Sequence, residues 1–156
     1  MRIADYAVAA APATLFTVGL GSCVAIVLHD ALARVGALAH VLLPAATSAD
    51  DADRRPARYP GVIVPQMITE MRALGAAGPY TARLVGGASL FGPLFGRDSG
   101  GPVGPRNVEA ARAALAAARV RLTGELVGGQ AGRTVYFDVA SGRVDVRSLR
   151  EGNRVL

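Results

Sequence analysis

The sequence predicts a single α/β domain, and three observations carry that prediction. Short β-branched and apolar runs recur between residues 14 and 43, with turn residues between them. Two stretches with helical spacing, 64–76 and 107–118, alternate with further strand-like runs. A chain of 156 residues, 51% of them apolar, is long enough for one core, and no internal repeat or composition break divides it, so residues 1–156 read as one domain. A mean hydropathy of +0.33 sets it well apart from disordered chains.

The elements follow in order. Residues 14–19 are rich in β-branched and aromatic types and read as a strand. Gly19 to Ser22 supplies a turn, with glycines free to take positive φ. Residues 23–29 are almost continuously apolar, the signature of a strand buried on both faces. A turn at 30–33 leads into a third strand, 34–43, which ends at Pro44. The polar stretch 45–58 reads as an exposed loop.

From Val64 to Ala76 the recurrence of Met67, Ile68, Met71 and Leu74 predicts a helix, with Pro65 in its first turn and Gly75 and Gly78 at its end. Residues 81–85 form a strand running into Gly86 and Gly87. Residues 91–106 hold five glycines and three prolines and read as a long loop able to wall a substrate groove. Asn107 is expected to cap a helix, with Glu109 near the positive end of its dipole. Strands at 120–127, 133–139 and 143–148 complete the chain, the last two joined in a hairpin at 140–142.

The formal charge is +5, and all seventeen basic residues are arginine. They are scattered, and only Tyr59 interleaves an aromatic ring with the one small cluster, Arg54, Arg55 and Arg58. That pattern argues against a nucleic-acid surface and leaves an acidic protein partner open. No apolar run reaches the ~18 residues that a membrane span needs, and Asp5 and Pro12 interrupt a secretory segment. A cytoplasmic protein without membrane insertion is the expectation, and the one cysteine, Cys23, fits a reducing compartment.

Cys23 follows a glycine-rich turn and opens a strand, where backbone N–H groups can gather beside a nucleophile. Two histidines are available as its base, His29 and His40. Six strand positions separate His29 from Cys23, roughly 20 Å, which excludes it; it reads as a polar strand end. His40 differs. A hairpin centred between Ala31 and Leu32 makes facing residue numbers sum to 63, which sets Cys23 opposite His40 with Cβ atoms ~5 Å apart. Centring the preceding turn on Leu20 pairs Thr17 with Cys23, so a three-strand meander is expected to collect thiol, imidazole and hydroxyl at one sheet edge.

The chemistry suits these types. A free thiol, with a pKa near ~8.5, is mostly unreactive at neutrality, and a neighbouring imidazole can take its proton and return it to a leaving amine. Thr17 is the candidate for orienting the ring. N–H groups around Ser22 and Cys23 can stabilise an oxyanion, worth roughly 3 kcal/mol per donor in known cases. The competing structural reading makes Cys23 a small buried hydrophobe, His40 a satisfied core histidine and Thr17 a residue that suits strand sterics. No Cys/His/carboxylate group has metal-ligand spacing, and neither a metal nor a cofactor is expected.

Six segments in order carry a resemblance: 19–25, 38–44, 58–60, 86–89, 104–108 and 127–138. On these segments the sequence resembles the chemoreceptor glutamine deamidase family, CheD, and the match runs from about Thr14 to Val146, nearly the whole chain. The resemblance implies an α/β sandwich of mixed sheets flanked by helices, similar to deamidating-toxin cysteine hydrolases. It implies catalysis by Cys23, His40 and Thr17, and hydrolysis of glutamine side chains in methyl-accepting chemotaxis receptors. A CheC-type phosphatase is an implied partner for some members. One departure stands out: Pro105 occupies a position where the family pattern has glutamate, removing a charge and an N–H. Two rival readings are a non-catalytic regulator that binds such a phosphatase or a receptor, and a thiol amidase acting on small amides.

Overall fold

The computed structural model describes residues 1–89 and 102–156; most of the predicted 91–106 loop lies outside them. Among the described residues nine strands make two sheets. β1 (Tyr6–Ala10), β3 (Val24–Asp30), β4 (Val35–Val41), β5 (Thr81–Gly86) and β6 (Arg121–Val127) form one sheet in the order β1-β4-β3-β5-β6. β2 (Thr14–Leu20), β7 (Arg133–Asp138), β8 (Val144–Arg147) and β9 (Arg154–Val155) form the other in that order. The large sheet is mixed: β5 and β6 run parallel, linked through a helix, while its other neighbours are antiparallel.

The predicted α/β sandwich is therefore correct, and the alternation of side chains explains its layers. Val24, Ile26 and Leu28 of β3, with Val35, Ala37, Ala39 and Val41 of β4, face a core shared with α2 (Pro60–Ala73) and α3 (Val103–Ala117). The opposite face, with Ala25, Val27 and Leu38, packs against Val135, Phe137, Val144 and Val146 of the small sheet. Every residue of β3 is buried, as the unbroken apolar run predicted, and so is every residue of β4.

Several expectations are corrected. β2 does not pair with β3; it pairs with β7 in the small sheet, Thr17 opposite Val135, so the expected three-strand meander does not form. The large sheet instead takes β1, a strand missed because its alanines carry little β signal. The polar stretch 45–58 contains α1 (Ala49–Arg54), capped by Ser48, and a 3₁₀ turn at Pro56–Arg58. Helix α2 begins at Pro60, which takes the N1 position, so Pro65 lies inside the helix and not in its first turn.

Helix α3 also begins earlier than expected, at Val103, with Pro102 as its N-cap. Asn107 is thus a buried interior residue, not the cap, because Pro102 to Arg106 already supply the first turn. Pro105 falls in that first turn, where a backbone N–H has no intrahelical partner, so its missing donor costs the helix nothing.

Candidate active site

The site is built where the ends of β3, β4 and β5 meet β2 of the facing sheet. A bulge lets β2 serve it. The β2–β7 register slips between Thr17 and Leu20, with Gly19 at φ +74°, so both Thr17 and Leu20 point inward although three positions apart. Thr17 and His40 are fully buried, and Cys23 retains 6% exposure. The Thr17 hydroxyl and His40 Nδ1 lie 2.7 Å apart, a bond that spans the two sheets.

The β3–β4 hairpin has a register different from the expected one. Ala25 faces His40 and Val24 faces Val41, so facing numbers sum to 65 where 63 was expected. A slip of two preserves the face: Cys23 stays on the side that carries Ala25 and His40, one diagonal step away, and joins the core between the sheets.

The direction of the proton chain follows from donor counting. Thr17 has one hydroxyl proton, and Met1 O, which can only accept, lies 3.3 Å from its oxygen. With that proton on Met1 O, His40 Nδ1–H donates to Thr17. Nε2 is then the lone-pair nitrogen, and it is buried with no partner among the described residues. Backbone bonds from Ala4 N to His40 O and from His40 N to Asp5 O, each 2.9 Å, tie the same N-terminal segment to β4.

Burial dominates the electrostatics. It pushes the His40 imidazole down to about 4, aided by the nearby amino terminus and opposed by Asp5. It pushes the Cys23 thiol up, against a smaller opposite effect of its own backbone N–H. Both shifts act in the same sense, favouring the uncharged thiol and the uncharged imidazole.

Glycines allow the close packing around the sulfur. Gly86 has φ +115°, and a Cβ there would strike Cys23 O, while a Cβ on Gly104 would sit 2.5 Å from Gly87 O. Gly87 N donates to Cys23 O at 2.7 Å and Ala88 N to Gly21 O at 2.8 Å, pinning the turn before the cysteine. Asn107, which sequence reasoning placed at a cap, donates from Nδ2 to Ser22 O at 2.9 Å and to Leu42 O at 3.0 Å. A polar residue on the inner side of an otherwise apolar helix face was the available signal for it. Arg133 lies behind, its side chain 3% exposed, donating to Gly128 O and pairing with Glu151 at 2.7 Å.

His29 takes no part. Its Nε2 lies 3.0 Å from Val139 O and its ring meets Phe137 edge-on, the satisfied strand-end histidine that was expected. Among the described residues no three His, Cys, Asp or Glu side chains converge as a metal site. A groove of about 640 Å³ on the outer face of the small sheet, lined by Tyr136, Arg147 and Arg150, includes none of Thr17, Cys23 and His40.

Fold and site together define a class: a two-sheet α/β protein in which a buried imidazole meets a hydroxyl from the facing sheet, with a thiol turn at the start of the neighbouring strand. Residues 42–148 match the family described as CheD, chemotactic sensory transduction. The chain is 39% identical over 155 residues to the probable chemoreceptor glutamine deamidase CheD of Desulforamulus reducens, covering 99% of this chain and 92% of that one. It is 42% identical to the probable chemoreceptor glutamine deamidase CheD of Thermococcus kodakarensis (96% and 92% covered) and 35% identical to the chemoreceptor glutamine deamidase CheD of Thermotoga maritima (98% and 93%). This chain belongs to the CheD family of chemotactic sensory transduction proteins. Thr17, Cys23 and His40 precede the family match, and it is the near full-length relatives whose coverage reaches that part of the chain. No helix among the described residues is long and apolar enough to cross a membrane.

Proposed function

We propose that the protein hydrolyses glutamine side chains of methyl-accepting chemotaxis receptors to glutamate, releasing ammonia, with Cys23 as nucleophile, His40 as acid–base and Thr17 as the group that orients His40. One observation carries this reading: the Thr17–His40 bond leaves the unpartnered Nε2 as acceptor on the face that carries Cys23. The relatives' names point to the same substrate class. A CheC-type phosphatase as partner and a cytoplasmic location belong to this reading as well.

The reaction follows from the protonation states. Cys23 passes its proton to His40 Nε2 as its sulfur attacks the carboxamide carbon, giving a tetrahedral adduct. Backbone N–H groups of Ser22 and Cys23 are the donors for its oxyanion in this reading. His40 returns the proton to the departing nitrogen, and ammonia leaves behind a thioester. Water then gives a proton to Nε2 as it attacks the thioester, and collapse restores the thiol and yields glutamate. Thr17 accepts from Nδ1–H throughout, which keeps the ring in one tautomer.

The test is incubation of the protein with a receptor cytoplasmic fragment, followed by peptide mass spectrometry for amide-to-acid conversion at glutamine. Parent protein converts specific glutamines, and Cys23→Ala does not. Equal conversion by both would remove Cys23 from the reaction. Receptor binding without ammonia release would favour the regulator, and turnover of free glutamine or small amides would favour the small-amide amidase.

A further inference from the structure

We propose that Asn107 is a positioning residue that sets the gap between the nucleophile turn and the strand carrying His40; this rests on the reading of Cys23 and His40 as the reacting pair. Asn107 is fully buried on the inner side of α3. Its two Nδ2 protons go to Ser22 O at 2.9 Å and Leu42 O at 3.0 Å. Both partners can only accept, so the orientation of the carboxamide is determined by its surroundings. Ser22 immediately precedes Cys23. Leu42 lies two residues beyond His40, where continuation of the 65-sum register sets it opposite Cys23.

The last ladder pair is Val24 with Val41. Beyond it the two chains part, and the Asn107 amide replaces the missing ladder bonds by joining one carbonyl from each. A shift of either carbonyl moves Cys23 relative to His40. Only the Nδ2 side of the amide is used: its Oδ1 is buried with no partner among the described residues, so the two carbonyl contacts are what the side chain makes there. The close seat of α3 on Gly87 through Gly104 makes the helix a fixed support for the clamp.

Two variants of similar volume test it. Asn107→Leu removes both bonds and the orphan acceptor, and Asn107→Asp keeps the shape but cannot donate at neutral pH. Both are expected to lower kcat on a receptor fragment by about tenfold to a hundredfold, the range for groups that orient a functional side chain from behind, with KM little changed. A readout beyond activity is the pH dependence of Cys23 alkylation by iodoacetamide. In Asn107→Leu the profile moves onto that of His40→Gln, and adding Asn107→Leu to His40→Gln changes it no further. A folded Asn107→Leu with parental kcat, or additive effects of the two substitutions on alkylation, overturns the proposal.

If the variants do not fold, the parent protein still decides. The chain has two asparagines, Asn107 and Asn153, so labelling asparagine with ¹⁵N gives two side-chain amide signals. The buried one is expected to exchange slowly and to shift when Cys23 is alkylated, and an unmoved signal overturns the clamp. Alkylation and amide signals do not depend on receptor turnover. A protein that never deamidates receptors would therefore sink the functional reading while leaving these two measurements free to judge the clamp.

Discussion

Thr17 and His40 lie on facing sheets, yet their side chains meet at 2.7 Å, which makes the imidazole's orientation a property of the sandwich and not of either strand. Thr17→Val keeps the β-branched shape and removes the acceptor. It is expected to lower kcat by about tenfold to a hundredfold, as loss of an orienting partner does elsewhere. Steady-state kinetics with a thermal melt checks this: a folded Thr17→Val with parental kcat would remove Thr17 from the mechanism.

The two histidines should separate cleanly. His40→Gln removes the proton acceptor proposed for Cys23 and is expected to cost on the order of 10²–10⁴ in rate. His29→Gln can still reach Val139 O, which now lies 3.0 Å from the imidazole, and its activity should match the parent. A comparable loss in both variants would mean that the pair acts through stability and not chemistry.

Acid should act on His40 twice. Its pKa of about 4 lies below the ordinary 6.5, so the unfolded chain binds the proton more readily than the folded one between those values. Stability is therefore full above pH 6.5 and falls as pH drops towards 4, by roughly 3 kcal/mol for this group. Denaturant melts across pH 4–7 measure it, and His40→Gln should flatten the slope. In the native protein the acid limb of kcat/KM should lie near pH 4, since that quantity reports the free protein's groups. An acid limb near 6.5 would contradict a buried, neutral imidazole.

Arg133 holds the shelf behind the cysteine turn. Its nearly buried guanidinium donates to Gly128 O at 2.9 Å and pairs with Glu151, which is 35% exposed. Glu151→Ala leaves that cation short of its partner and should cost about 2 kcal/mol, less than a fully buried pair because water reaches Glu151. Glu151→Gln keeps an acceptor and should cost less. Equal losses would show that packing and not charge pairing dominates there.

Gly86→Ala should be the most damaging small change. The new methyl meets Cys23 O, and φ +115° is a conformation that alanine resists, at a cost of about 1–3 kcal/mol for the backbone alone. Loss of both melting temperature and Cys23 alkylation is expected. Alanine tolerated with parental kinetics would show that the turn has room to relax.

By itself the sequence determined the strands β2 to β8 to within a residue or two and singled out Thr17 and His40, the side chains that the fold brings into contact. It also assigned the bland role of His29. These rest on local physics: alternation and unbroken apolar runs mark strands, and residue type alone limits which atoms can donate, accept or attack. Only the tertiary structure decided which sheet β2 joins, that Ala25 and not Cys23 faces His40, and that Asn107 reaches Ser22 and Leu42 from inside a helix. Those are long-range choices. A strand's own pattern says which of its faces is buried but not which partner covers it, and a register slip of two leaves that pattern unchanged.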